Sequence, residues 1–329
     1  MIKVLVTGGT GFLGSHIALR LLERGDAVRI LARRKTPFAE NGSVEFVQGD
    51  VADFDTVRKA CRGVDAVIHT AAKEGVEPNK RPFFQTNVQG TRNLLDACRA
   101  EGVPRFVFTS SPSAVDGGVP LEGADETLPY PCRSLSTYAL TKRLAEEMVL
   151  GANSASFLTC AIRPRLIWGP GDRQLIPRVI EKARKGTLRQ VGDGANLIDT
   201  TFIDNAAEAH LLALDALAPG SPVPGNAYFI SQGEPVDCWE WINRILEMAG
   251  LPPVRKRLSF RCAYRFGALL EWGYALCCPN TEPPMTRFLA TQLAQSYWFS
   301  IEKARRDLNY VPRVTLAEGA ERLRAWLSR

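Results

Sequence analysis

The sequence predicts an α/β protein, a doubly wound parallel sheet followed by a smaller, mixed α/β region. Three observations predict it. An apolar strand, Ile2 to Val6, runs through a glycine-rich turn into a helical pattern that Gly25 stops. The same strand-then-helix alternation recurs through the first half of the chain. From about Arg163 it becomes irregular, and Pro and Gly accumulate.

The turn at residues 8–14 reads Gly-Gly-Thr-Gly-Phe-Leu-Gly. Gly8 permits the tight turn, Gly11 lets backbone approach a diphosphate, and Gly14 allows the helix to pack closely on the strand. A helix N-terminus presents free amides and the positive end of its dipole to an anion. Gly8, Thr10, Gly11, Phe12 and Leu13 are therefore candidate contacts to a dinucleotide. The second strand, Ala27 to Leu31, ends at Ala32-Arg33-Arg34 with no carboxylate for a ribose hydroxyl. Arg33 and Arg34 offer cationic donors suited to a 2′-phosphate, which predicts NADP(H).

Further units follow. Val44 to Val47 leads to Gly49-Asp50-Val51, which places Asp50 and Val51 at the adenine. Ala66 to His69 leads to Thr70-Ala71-Ala72, where Ala71 and Ala72 are small enough for backbone to pass close to cofactor riboses, and His69 is expected to be packed. Asn87, early in a helix over 83–100, is placed to brace active-site backbone. Phe106 to Phe108 opens into Thr109-Ser110-Ser111 at the carboxyl ends of the strands, where open α/β sheets bind ligands.

A helix over 135–150 then carries Tyr138, which alone among seven tyrosines has a lysine four residues later, Lys142. Positions i and i+4 share a helix face, so the ammonium is expected to stabilise the phenolate and bring the tyrosine into range for proton exchange.

Bulk properties bound the remaining classes. At 329 residues, 45% hydrophobic and 23% charged, the chain has an ordinary globular composition. The net charge of +6 is spread along the chain, with no basic stripe interleaved with aromatics, which argues against nucleic-acid binding. No leader-like segment and no apolar run of about 20 residues is seen, predicting a cytoplasmic protein without a membrane span. The eight cysteines show no metal-ligand spacing, and no metal is expected.

Thr-Gly-Gly-Thr-Gly-Phe-Leu-Gly at 7–14, Gly-Asp at 49–50, Asn87, the serine cluster and Tyr138 with Lys142 resemble the extended short-chain dehydrogenases/reductases, over essentially the whole chain. The resemblance implies a Rossmann-type domain at 1–165 carrying the catalytic residues and an interleaved substrate-binding region at 166–329. It implies Tyr138 as acid/base, Lys142 as holder of the nicotinamide ribose and tuner of Tyr138, and Ser111 as the group that binds the substrate oxygen, with Ser110 the runner-up. Asn87 supports the geometry or a proton-relay water. Pro164 and Ile167 are expected at the cofactor, and Lys73, Ser113 and Trp168 at the substrate. A homodimer through helices near 83–100 and 135–150 is also implied.

In the nucleotide-sugar epimerases and dehydratases of this family an arginine holds the nucleotide diphosphate where this chain has Ile198. The substrate is therefore expected to be less anionic and more apolar. Ala71-Ala72-Lys73, the stretch 109–113, Arg163 to Asp172 and Tyr297 to Ser300 are similar to the branch holding 3β-hydroxysteroid dehydrogenases, sterol-4-carboxylate 3-dehydrogenases and, nearest, the 2-alkyl-3-oxoalkanoate reductases of bacterial olefin biosynthesis. That implies NADP(H)-linked interconversion of a ketone and an alcohol on a bulky apolar molecule, a branched β-keto acid or a 3-hydroxysteroid. An epimerase or dehydratase of nucleotide sugars, and a non-catalytic NADP(H)-sensing protein, are the alternatives. The segment 261–278 combines aromatic and aliphatic bulk with Arg261, Arg265 and Glu271, suiting either a packed lid helix or peripheral contact with a membrane surface.

Overall fold

The computed structural model describes residues 1–35 and 44–328. Seven strands form one parallel sheet: β1 (Lys3–Thr7), β2 (Ala27–Ala32), β3 (Glu45–Gln48), β4 (Ala66–His69), β5 (Arg105–Thr109), β6 (Leu158–Pro164) and β7 (Ala227–Ile230). Their spatial order is β7-β6-β5-β4-β1-β2-β3. The chain winds one way from β1 and then the other from β4, so a crevice opens between the carboxyl ends of β1 and β4.

These strands are apolar on both faces because both are covered. Ile17, Ala18 and Leu21 of helix α1 (Phe12–Glu23) cover one face with Ala207, Leu211 and Leu214 of helix Ile203–Ala216. The other face is covered by Val57 of α2 (Phe54–Cys61), Leu94 and Leu95 of α3 (residues 81–101), and Ala145 and Val149 of α4 (Thr137–Gly151). Each fully buried Val, Leu or Ile side chain among these contributes about 1.5–3 kcal/mol.

Helix α3 is one run of three pieces: a turn Arg81–Phe83, a π-helical stretch Phe84–Gln89, and Gly90–Glu101. Helix α4 starts two residues later than its hydrophobic pattern suggests. Ser136 stands outside it as the cap, its hydroxyl accepting the Ala139 amide at 3.1 Å.

The expected division at residue 165 is crossed in both directions. Strand β7, from the second half, closes one edge of the main sheet. Leu121–Ala124, from the first half, joins a second, four-stranded sheet with Val236–Asp237, Leu197–Ile198 and Tyr297–Phe299. A separate core of Trp168, Ile176, Phe202, Trp241, Ile242 and Leu323 fills the region beyond. No helix among the described residues is long and apolar enough to cross a membrane.

Candidate active site

The glycine turn meets the tip of β4 at the crevice. Gly8 has a φ of 69°, and a Cβ there would lie 2.8 Å from the Ala71 amide nitrogen, so the two loops touch through backbone alone. A Cβ on Gly14 would lie 2.3 Å from the Gly8 carbonyl oxygen, so the helix can sit this close only without a side chain. Gly14→Ala is accordingly expected to push α1 off the turn and abolish dinucleotide binding, with a lowered thermal midpoint. Titration of the cofactor by fluorescence checks it, and near-normal affinity would refute it.

Gly11 caps α1 without a side-chain hydrogen bond. The first amides of the helix therefore lack a capping acceptor, the arrangement a diphosphate completes. Phe12 and Leu13 form that first turn, Thr10 is half-buried beside it, and Arg33 and Arg34 stand exposed at the end of β2. Asp50 accepts the Ala52 amide at 2.9 Å, and buried Val51 is tied to α3 through its carbonyl, which accepts from Asn93 at 2.9 Å. These residues fit a dinucleotide whose diphosphate lies on the α1 N-terminus.

Asn87 lies in the π-helical stretch, 2% exposed. Its side-chain oxygen accepts the Lys73 amide at 2.7 Å, and its nitrogen donates to the Lys73 carbonyl at 3.0 Å and to Thr141 at 2.9 Å. It thus clamps the Ala71-Ala72-Lys73 backbone to α4, one residue before Lys142. His69 is packed, as expected. Thr91 gives its only hydrogen to the Asn87 carbonyl at 2.6 Å, so His69 Nε2–H donates to Thr91 at 3.1 Å and Nδ1 accepts from Thr7 at 2.7 Å. Burial and the nearby Lys142 charge hold this imidazole neutral, with its pKa lowered to about 3.

Ser111 begins the 3₁₀ turn Pro112–Val115, and its hydroxyl accepts from the Ser113 amide at 3.2 Å and the Ser113 hydroxyl at 3.0 Å. With its acceptor side occupied, the hydrogen of Ser111 is free for another acceptor, and this hydroxyl favours the ionised form of the Tyr138 phenol. Ser113 therefore orients Ser111 and is itself 6% exposed. Ser110 faces the interior, and its hydroxyl has no partner among the described residues.

Lys142 is buried, and its ammonium donates to the Thr109 carbonyl at 2.8 Å, 5.9 Å from the Tyr138 ring centre. One N–H is used there, leaving two for other acceptors. Burial lowers its pKa to about 8, against raising effects of the Glu74 and Glu146 carboxylates. The phenol departs from the expected direction. It is raised above its ordinary range, first by burial and then by the Glu74 carboxylate, and only the Ser111 contact lowers it. The i+4 spacing brings lysine and tyrosine together, but the loss of water around the ring, with the Glu74 charge beside it, sets the direction of the shift.

The remaining expected residues divide. Pro164 ends β6, buried, and Ile167 is half-buried in the short strand Ile167–Trp168, which pairs with Thr201–Phe202. Between them Leu166 has a φ of 39°, in the left-handed region that a branched side chain rarely adopts, where the chain turns out of the sheet beside the crevice. Trp168 is core rather than pocket lining: it is 1% exposed, edge-on to Phe202 at 5.2 Å and to Trp241 at 5.7 Å. The Lys73 ammonium pairs with Glu77 and donates to the Glu74 carbonyl at 2.8 Å, so an incoming carboxylate would compete with Glu77. Ile198 is 2% exposed within the second sheet and presents no polar group.

Two groups carried no usable sequence signal. Glu74 acts on both Tyr138 and Lys142, yet its place is set by a loop. Arg165 stacks on Tyr297 at 4.5 Å and donates to Gln292 at 2.5 Å, which in turn donates to buried Asp116 at 2.9 Å, joining parts far apart in the chain. A third, Glu146, was visible in principle, since it follows Lys142 at i+4.

A hydroxyl, a phenol and an ammonium meeting beside a dinucleotide cradle define an enzyme, an oxidoreductase of the extended short-chain dehydrogenase/reductase type using a nicotinamide dinucleotide. The chain belongs to the 3-beta hydroxysteroid dehydrogenase/isomerase family, whose profile matches residues 5–260. It is 51% identical to a 2-alkyl-3-oxoalkanoate reductase of Stenotrophomonas maltophilia over 98% of both chains. It is 35% identical to the decarboxylating sterol-4-alpha-carboxylate 3-dehydrogenase of Mus musculus, over 97% of this chain and 89% of that one. The structure of a Thermus thermophilus UDP-glucose 4-epimerase with NAD superposes with a TM-score of 0.76 at 27% identity, covering 99% of each chain.

Proposed function

We propose that the chain is an NADPH-dependent reductase that converts the 3-keto group of a 2-alkyl-3-oxoalkanoate to a 3-hydroxyl group. The observation that carries this reading is the meeting of Ser111, Tyr138 and Lys142 at the end of β5, in a chain half identical to a reductase of that name. The glycine turn and the α1 N-terminus hold the diphosphate, Arg33 and Arg34 the 2′-phosphate, and Lys142 the nicotinamide ribose. When bound, the dinucleotide supplies the hydride. Ser111 donates a hydrogen bond to the ketone oxygen and fixes its position, and Tyr138 delivers the proton that makes it a hydroxyl. Asn87 keeps the loop and α4 in register while this happens.

A 3-hydroxysteroid or sterol is the second reading, favoured by the 35% identity to a sterol-carboxylate dehydrogenase. Nucleotide sugars are disfavoured, because Ile198 is buried and offers no cation to a diphosphate.

NADPH oxidation against a panel of 2-alkyl-3-keto acids, 3-ketosteroids and UDP-sugars tests the substrate. The keto acids are expected to turn over fastest, and a steroid rate above theirs would replace the proposal. Arg33→Asp is expected to weaken NADPH while sparing NADH. An unchanged NADPH affinity, or wild-type NADH binding as tight as NADPH, would overturn the cofactor assignment.

A further inference from the structure

Among the described residues, helix Phe260–Cys277 is fastened by one side only. Ala263 and Gly267 are buried, and a Cβ on Gly267 would lie 2.6 Å from the Thr286 carbonyl carbon, so the helix rests directly on backbone. Glu271 secures it further through Arg287 at 2.7 Å.

The helix also carries Tyr264, Phe266, Leu269, Trp272 and Leu276, exposed by 37, 52, 68, 69 and 66%, and all of them but Tyr264 turn away from the fastened side. These are five of the twelve large exposed hydrophobics among the described residues, gathered on a single helix. Phe266, Leu269, Trp272 and Leu276 follow at intervals of three, three and four, which lines them up on one face.

The charges along this segment are basic with one exception. Arg255, Lys256 and Arg257 precede the helix, Arg261 and Arg265 stand on it, and all are exposed. Glu271 is the only acid between residues 251 and 278, and Arg287 engages it. A two-fold contact between copies of this face would set these cations against each other. An anionic lipid surface matches both features, since Trp and Tyr suit the headgroup boundary and each nearby cation adds attraction. The helix is not apolar enough to span, so it would lie in the plane.

We propose that this face of Phe260–Cys277 docks the protein onto an anionic phospholipid bilayer. The docked helix adjoins the candidate site. The Pro279 carbonyl just beyond it accepts the Asn79 amide at 2.8 Å, in the loop that follows Lys73. Its neighbour Arg287–Ala294 carries Gln292, which reaches Asp116 and Arg165. Docking would bring the opening of the crevice to the phase in which a long apolar ketone dissolves. The docking itself does not depend on the substrate reading.

The test is cosedimentation of the full chain with phosphatidylcholine vesicles, with and without phosphatidylglycerol. Binding is expected only to the anionic vesicles, weakening with added salt. Phe266→Ser/Leu269→Ser/Trp272→Ser is expected to abolish it, and Arg261→Glu/Arg265→Glu to weaken it by at least roughly tenfold. All five positions are exposed and outside the candidate site, so unchanged NADPH binding and thermal midpoint show that the variants fold. Absence of wild-type binding, equal binding to neutral vesicles, or binding unaffected by either variant would overturn the proposal. So would a dimer that the serine variant dissociates while vesicle binding persists.

Discussion

Tyr138→Phe is expected to cut ketone reduction by about 10²–10⁴-fold while leaving NADPH affinity unchanged, because it removes the proton donor and nothing else. The ring keeps its place, and Lys142 keeps its bond to the Thr109 carbonyl. The pH dependence of the wild-type enzyme is a sharper test. Burial first, then Glu74, holds the phenol above its usual range, so the proton donor stays loaded at neutral pH. Reduction should therefore hold steady and fall as pH rises through about 8, where Lys142 loses its charge. Oxidation of the alcohol needs the phenolate and should rise toward alkaline pH. Glu74 raises both groups, so Glu74→Gln should move both limbs to lower pH. Rates in both directions across pH check this. Wild-type turnover by the phenylalanine variant, or an oxidation rate indifferent to pH, would remove Tyr138 from its role.

Glu146→Leu is expected to cost about 3–5 kcal/mol of stability, since it leaves a buried guanidinium without its partner. The two side chains are 0 and 4% exposed. Glu146 receives Arg163 Nε at 2.9 Å and Nη2 at 2.5 Å, and the Tyr130 hydroxyl at 2.8 Å. Adding Arg163→Met should restore much of the loss, because an apolar pair of similar volume carries no orphaned charge. Urea unfolding of the single and double variants measures both, and a loss below about 1 kcal/mol would show that the pair is not holding this region together. Where the single variant folds, its reduction limb should also fall at lower pH, as Glu146 favours the charged form of Lys142.

The glycine turn and the successive strands were legible because their constraints are local: a positive φ at Gly8, a close helix at Gly14, apolar runs of four to seven residues. Tyr138 and Lys142 were legible as a pair for the same reason. The sign of the shift on Tyr138 was not, because it depends on how much water the assembled site excludes. Trp168 was expected at the substrate, but its neighbours Phe202 and Trp241 come from 34 and 73 residues further on. The second sheet escaped because three of its four strands have only two or three residues, too short for periodicity to show.

The π-helical stretch at Phe84–Gln89 has a consequence of its own. A wide turn holds one more residue than regular winding needs, and Asn87 sits within it. Removing a single residue there would let α3 rewind evenly while rotating the amide clamp off its loop. Such a shortened chain is expected to gain a more regular helix and to lose the three hydrogen bonds by which Asn87 ties the Lys73 backbone to Thr141.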